Sequence, residues 1–291
     1  IAGSDPDRPV KPNQDAWFVD YPGEGHFVVA GVLDGHGRKG HDVTADLRHR
    51  LPIEISRALL DSQFGDEETA LKHAFRAAQE ALLRNSEVES RVSGSTAVVA
   101  LLTDDTAAVA NVGDSRGVLG IKRPNPSRGE TSEAGWIWDS MALSVDSTTA
   151  RDDERCRIES HGGRIDSEGN VFNGPVGIAM TRALGDSVMG AVGVTFQPEV
   201  ETFAFPHDSH DRFILLASDG IFGVMENEAA VSFIGRIFDS ERRTKGEEDA
   251  AHAAVAGLVA EARSRWQADL PLDVRIDDAT CVLILRTARN I

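Results

Sequence analysis

The chain has 291 residues, 41% of them hydrophobic and 26% charged, with a formal net charge of −17 and two cysteines. That length and apolar content support one domain, residues 1–291, with a sizeable core, and no apolar run reaches the ~20 residues that span a bilayer. The acidic balance argues against a phosphate-tracking nucleic-acid groove and against anionic membrane surfaces, and Cys156 and Cys281 cannot build a disulfide framework, so a reducing intracellular compartment, cytoplasmic or nuclear, is expected, with no signal peptide read.

Residues 1–25 are polar and turn-rich apart from Trp17–Val19. His26–Leu33 reads as a buried strand. Gly40 to about Leu60 suits a helix, with a bend or interruption expected at Pro52. Glu67–Arg84 places Leu71, Phe75, Ala78 and Leu82 at i, i+4, i+7 and i+11, the spacing of an amphipathic helix. Thr96–Thr103, Ala107–Val112 and Gly117–Lys122 follow as strands, and the turns at Asp104-Asp105 and Gly113–Arg116 predict that they are antiparallel neighbours. Pro124–Gly135 is a polar loop. Trp136 and Trp138 alternate as on a strand, which Met141–Val145 would continue. Residues 150–160 read as a charged helix. His161–Gly177 holds five glycines and is expected to be irregular and mobile. Phe213–Ala217 is a buried strand. Asn227–Phe238 and Glu247–Trp266 are amphipathic helices, and Cys281–Arg286 closes the chain as a strand. Grouped antiparallel strands and separate helix blocks give an α+β class instead of a βαβ repeat.

Four acidic turns stand at the ends of apolar runs: Asp34-Gly35-His36-Gly37, Gly113-Asp114-Ser115-Arg116, Ser218-Asp219-Gly220, and Asp277-Asp278 just before Cys281. Strand ends present side chains to a shared cleft, and carboxylates gathered there repel one another unless cations compensate. Oxygen donors without a Cys/His cluster select hard ions, Mg²⁺ or Mn²⁺. His36, two residues after Asp34, has the pKa range of a general acid. The pattern points to a multi-metal hydrolytic site.

Competing chemistries are weaker. Gly35–Gly40 matches G-x-G-x-x-G, but Asp34 would set a carboxylate beside a pyrophosphate, and a helix stands where the next strand of a dinucleotide fold belongs. Ser115 lacks a nucleophile elbow and a base. Cys156, between Arg155 and Arg157, reads as an inert helical cysteine.

Ten segments in order carry a resemblance: Asn13–Ala16, Val32–Gly37, Ser93–Ala97, Ala110–Arg116, Leu143–Asp146, Gly162–Ile165, Thr181–Asp186, Gln197–Val200, Ala217–Gly220 and Asp277–Thr280. Together they resemble the metal-dependent protein serine/threonine phosphatases of the PP2C (PPM) family over essentially the whole chain. The resemblance implies a four-layer αββα sandwich, two antiparallel sheets packed face to face with helices on both outer faces, and a flap at about 147–198. It also implies that Asp34 bridges two Mg²⁺ or Mn²⁺ ions with the Gly35 carbonyl as a further ligand. Asp219 and Asp277 would complete one shell, Asp114 with Asp219 would hold a weaker third ion, and His36 would be the general acid. Water made nucleophilic between two divalent ions would attack phosphorus directly. The implied partners are phosphorylated proteins as substrates, and a monomer is expected.

The chain departs from the family pattern at several places, among them Asp278, which stands where Asn is common and is not expected to be a direct ligand. Gln14 stands where many members carry a metal-binding Glu, and makes a weak ligand. Val10 stands where a phosphate-binding Arg is common, leaving Lys11 and Arg8 as the nearby cations that could substitute. Gly223 stands where many members carry Asp. The alternative to an enzyme is an impaired relative that captures or scaffolds phosphoproteins; retention of Asp34, His36, Asp114, Asp219 and Asp277 favours the enzyme.

Overall fold

The computed structural model of the chain describes residues 1–4, 11–23, 27–61, 65–125, 135–206, 211–268 and 276–286. Arg8, Val10, His26 and most of the 124–135 loop lie outside the described residues. In chain order the strands are β1 (Ala16–Asp20), β2 (Val28–Leu33), β3 (Gly35–His36), β4 (Gly94–Ser95), β5 (Ala97–Leu102), β6 (Thr106–Val112), β7 (Arg116–Pro124), β8 (Trp136–Ala142), β9 (Arg164–Ile165), β10 (Val171–Asn173), β11 (Val176–Ile178), β12 (Leu184–Gly185), β13 (Glu199–Ala204), β14 (Arg212–Ala217) and β15 (Cys281–Arg286). The six α-helices among the described residues are α1 (Gly40–Leu60), α2 (Glu67–Arg84), α3 (Asp152–Ser160), the single turn α4 (Asp219–Phe222), α5 (Asn227–Lys245) and α6 (Glu247–Ala268). None is long and apolar enough to cross a membrane. The result is a mixed fold of helices and antiparallel sheets.

The chain forms two compact units. The first holds Pro12–Arg116 and Ser144–Phe205. Its main sheet is antiparallel with order β1-β2-β5-β6-β13. β5 is buried along its whole length, as its run of Ala, Val and Leu demands. α1 and α2 share a core with this sheet: Leu33, Leu47, Leu51, Ile55, Leu71, Phe75, Leu82 and Val99 are all fully buried. Asp66 caps α2 by accepting a 2.7 Å hydrogen bond from Thr69 N–H. The expected interruption at Pro52 does not occur. α1 is one element across it, and the buried Leu51 and Ile55 on either side hold the turn whose hydrogen bond proline removes.

A short sheet, β12-β4-β3, lies at the end of this unit that carries the Asp34 turn. The His161–Gly177 stretch also differs from expectation. Instead of irregular chain it forms the antiparallel sheet β11-β10-β9, with Gly169 and Gly174 in the turns between the strands and Gly177 inside β11, around Ile158, Val171, Met189 and Val192.

The second unit holds Ile1–Lys11, Gly117–Leu143 and Pro206–Ile291. Its sheet order is β15-β14-β7-β8. α5 and α6 bury Val231, Ile234, Phe238, Ala254, Leu258 and Ala262 in one core with Val118, Phe213 and Leu215. The sequence reading made β7 a neighbour of β6, which the pairing corrects. Glu199–Ala204 occupies the flank of β6 across Asn111–Thr106, so β6 is paired on both sides, and β7 joins β8 and β14 instead.

Candidate functional site

In the first unit the site begins where β2 emerges from the core. Leu33 is fully buried and the next residue, Asp34, is half-buried. Its turn is fastened to β5's approach twice: Thr96 N–H donates to Asp34 O at 2.9 Å, and Asp34 N–H donates to Thr96 Oγ1 at 3.1 Å. Thr96 Oγ1 also meets Ser115 Oγ at 2.7 Å, in full burial. Thr96 therefore ties the Asp34 turn to the Asp114 turn. Gly113 makes that approach possible. Its φ is +101°, and a Cβ there would sit 2.6 Å from the Thr96 side chain.

Gln14 organises the same turn. It is buried, its backbone carbonyl accepts from Gly35 N–H at 3.2 Å and from Thr44 Oγ1 at 2.8 Å, and its side-chain amide donates to Gly37 O at 2.9 Å. A glutamate could not make that last bond as a donor.

His36 is directed by a residue to which the sequence reading gave no role. Its Nε2 meets Asp186 Oδ2 in a direct side-chain contact. The Asp186 side chain is 1% exposed and that of His36 is 20% exposed. Asp186 is the non-glycine residue with a left-handed backbone among those described, at φ +42°, and its N–H donates to Ser93 O at 3.1 Å. β4 lies between the two residues, and Gly94 leaves room there for the carboxylate: a Cβ on Gly94 would fall 2.1 Å from Asp186 Oδ2. The available signal was the Thr181–Asp186 segment itself, whose aspartate follows the apolar Ala183-Leu184 and a glycine.

In the second unit, Asp219 opens α4 directly after β14 and is half-buried. The preceding Ser218 is latched to the strand start that follows Asp277-Asp278, through Ser218 N–H to Thr280 O at 3.0 Å and Thr280 N–H to Ser218 Oγ at 3.1 Å. This brings the Asp219 and Asp277 segments together. Lys11 Nζ lies 3.3 Å from Asp277 Oδ1 and 3.1 Å from Asp278 Oδ2 and is almost wholly buried. Asp278 is buried too and accepts Gly3 N–H at 2.6 Å. At Gly223 the space for a larger residue is closed: a Cβ would meet Asp219 O at 2.7 Å and the Trp266 ring at 3.2 Å. Trp266 is itself anchored by Nε1 donating to Gly220 O at 2.8 Å.

Asp153, Glu154 and Glu199, in the first unit, also place carboxylate oxygens within 4.8 Å of one another. Arginines fill that space. Arg151 pairs with Asp153 and Glu199, while Arg157 and Arg182 converge on Glu154, which Thr181 Oγ1 also contacts. Burial pushes the Glu154 carboxyl up, but hydrogen bonds from Arg157, Arg182 and Thr181 outweigh it and hold it at about 2. The group reads as an ion-pair lattice linking α3 to β13. Burial pushes the Cys281 thiol up to about 12, which removes it as a nucleophile.

Residues 13–267 match the family model described as protein phosphatase 2C. The chain belongs to the protein phosphatase 2C family. It is 33% identical over 287 residues to a probable protein phosphatase 2C 64 of Oryza sativa subsp. japonica, covering 94% of this chain and 62% of that protein. It is also 33% identical over 311 residues to a probable protein phosphatase 2C 35 of Arabidopsis thaliana, covering 96% of this chain and 80% of that one. This PP2C chain thus spans less than two thirds of the first relative's length. A crystal structure of a serine-threonine phosphatase 2C from Toxoplasma gondii superposes with a TM-score of 0.71 at 18% identity, over 93% of this chain and 94% of that one. That likeness speaks to the fold.

Proposed function

We propose that this PP2C chain is one metal-dependent phosphatase domain that removes phosphate from phosphoserine and phosphothreonine in proteins, with about 147–198 as its flap. The observation that carries the reading is the His36–Asp186 pair one residue beyond the Asp34-Gly35 turn. It sets a proton-transfer group beside a hard-oxygen donor, as phosphoester hydrolysis requires.

The donor set fits the ions. Asp34, the Gly35 carbonyl, Asp114, Asp219 and Asp277 are all oxygen ligands, suited to Mg²⁺ or Mn²⁺ and not to structural zinc. Two ions in the core site and a weaker third are proposed. When bound, such ions activate water near neutral pH and offset charge on the phosphoryl oxygens. The chain supplies the rest. His36 delivers a proton to the departing serine or threonine oxygen. Thr96 and Gln14 hold the Asp34 turn in place. Lys11, bound to Asp277 and Asp278, must exchange those partners to reach phosphate, and Arg8 is the other cation proposed for that contact.

The test is phosphate release from a phosphothreonine peptide with and without Mn²⁺ or Mg²⁺, beside Asp219→Ala and His36→Ala. Metal-dependent turnover that Asp219→Ala abolishes is expected. A folded protein with no turnover at any metal concentration overturns the reading.

A further inference from the structure

We propose that a groove in the second unit, between β8 and α5, docks an extended acidic segment of a partner protein. The groove encloses about 540 Å³ and contains Lys122, Trp136, Trp138, Arg236, Asp239 and Arg243 among its lining residues.

Its floor is prebuilt. The Trp138 indole lies against Gly235 of α5, where an added Cβ would fall 2.1 Å from the ring. Trp138 Nε1 donates to Asp239 Oδ2 at 2.9 Å, and the ring packs on Phe213 at 4.9 Å between centroids. Lys122 Nζ approaches the other Asp239 oxygen at 2.7 Å, and Arg242 lies 3.3 Å from it. One carboxylate thus serves an indole and two cations, and Arg242 needs Asp211, at 2.7 Å, to complete its pairing. Arg236 and Arg243 stand on the same face of α5, two helical turns apart, and both are exposed. Trp136 and Ile137 are 36% and 41% exposed at the mouth.

The charge picks the occupant. Four cations and one carboxylate line this groove in a chain whose net charge is −17. Screening confines the groove's field to about 10 Å. A short acidic segment can sit wholly inside that field and place apolar side chains on Trp136 and Ile137. A long polyanion or an anionic bilayer must also face the acidic surface beyond. Among the described residues β8 is the outer strand of its sheet, which suits an extended ligand that adds along a strand edge.

The probe is a short fluorescein-labelled peptide of alternating glutamate and valine, titrated into the full chain and read by anisotropy. Controls are the lysine–valine peptide, a single-stranded oligonucleotide and phosphatidylserine vesicles. Saturable, salt-sensitive binding of the glutamate peptide is expected. The exposed double change Arg236→Glu with Arg243→Glu should weaken it about tenfold or more, in a chain that still unfolds cooperatively and hydrolyses p-nitrophenyl phosphate at the parent rate. Trp136→Ala should weaken it as well. No saturable binding, equal binding of the lysine peptide, undiminished binding to the charge-reversed variant, or preference for the oligonucleotide or vesicles overturns the proposal. Because binding is read directly, its failure is independent of whether the chain turns over phosphopeptide.

Discussion

His36 and Asp186 meet side chain to side chain although 150 residues separate them, and β4 is the strand that brings them together. Asp186 is buried and held at φ +42° by Ser93, so the carboxylate is placed before substrate arrives. On the proposed reading of His36 as general acid, its orientation matters most where the leaving group is a poor one. Asp186→Asn and His36→Ala should each lower kcat on a phosphothreonine peptide by about 100-fold, in the range of general-acid contributions. Hydrolysis of p-nitrophenyl phosphate, whose leaving group departs without a proton, should fall far less, with KM little changed in both cases. Equal losses on the two substrates would show that Asp186 only supports the fold.

Gly94 tests the same pair from the backbone side. Gly94→Ala drives a methyl to within 2.1 Å of Asp186 Oδ2. The carboxylate must move or the small sheet must open, at about 1–3 kcal/mol. Loss of activity should follow the substrate pattern of Asp186→Asn, with an added fall in denaturant midpoint that Asp186→Asn shows to a smaller degree.

The helices were legible in the sequence because their faces repeat at helical spacing. α2 occupies the predicted Glu67–Arg84, and α6 continues only from Trp266 to Ala268. The positions of Asp34, Asp114 and Asp219 at strand ends were legible for a similar reason, since each ends a run too apolar to stay in water. Pairing was less so. Nothing local to Gly113–Arg116 reveals that Glu199–Ala204, almost ninety residues on, takes the flank of β6. The Asp186 contact is illegible in the sequence for the same physical cause: it is made across β4 with a residue 150 positions away, and Gly185 and Ser187 on either side carry no charge to mark it.

Gln14 separates the metal reading from a purely structural one. Its amide donates to Gly37 O, so Gln14→Glu exchanges a donor for a carboxylate facing a carbonyl in a buried place. Without metal the variant should be less stable by about 1–3 kcal/mol. Added Mn²⁺ should raise its melting temperature more than it raises that of the parent chain, because a ligand that binds only the folded state stabilises it by mass action. Calorimetric melts at several Mn²⁺ concentrations check this without reference to turnover, and an identical metal response in both proteins would count against Gln14 standing at the ion site.

Glu154 gives a prediction with a definite pH sign. Its carboxyl sits at about 2 in the folded chain against an ordinary 4.5. A lowered carboxyl pKa stabilises the fold at pH values above 4.5, and that contribution fades as pH falls toward 2. The shift corresponds to about 3 kcal/mol. Glu154→Gln keeps an acceptor oxygen but removes the charge that Arg157 and Arg182 share, and removing the charge on one side of a buried pair carries a similar penalty. At neutral pH the variant should therefore be destabilised by about that amount. Since Glu154 links α3 to Thr181 and Arg182, the loss should appear first as faster amide exchange in α3 and β9–β11. On acidification the stability gap between parent and variant should close, because the parent protonates what the variant already lacks. A gap that stays constant from pH 6 to pH 3 would place the stabilisation in packing and not in the charge on Glu154.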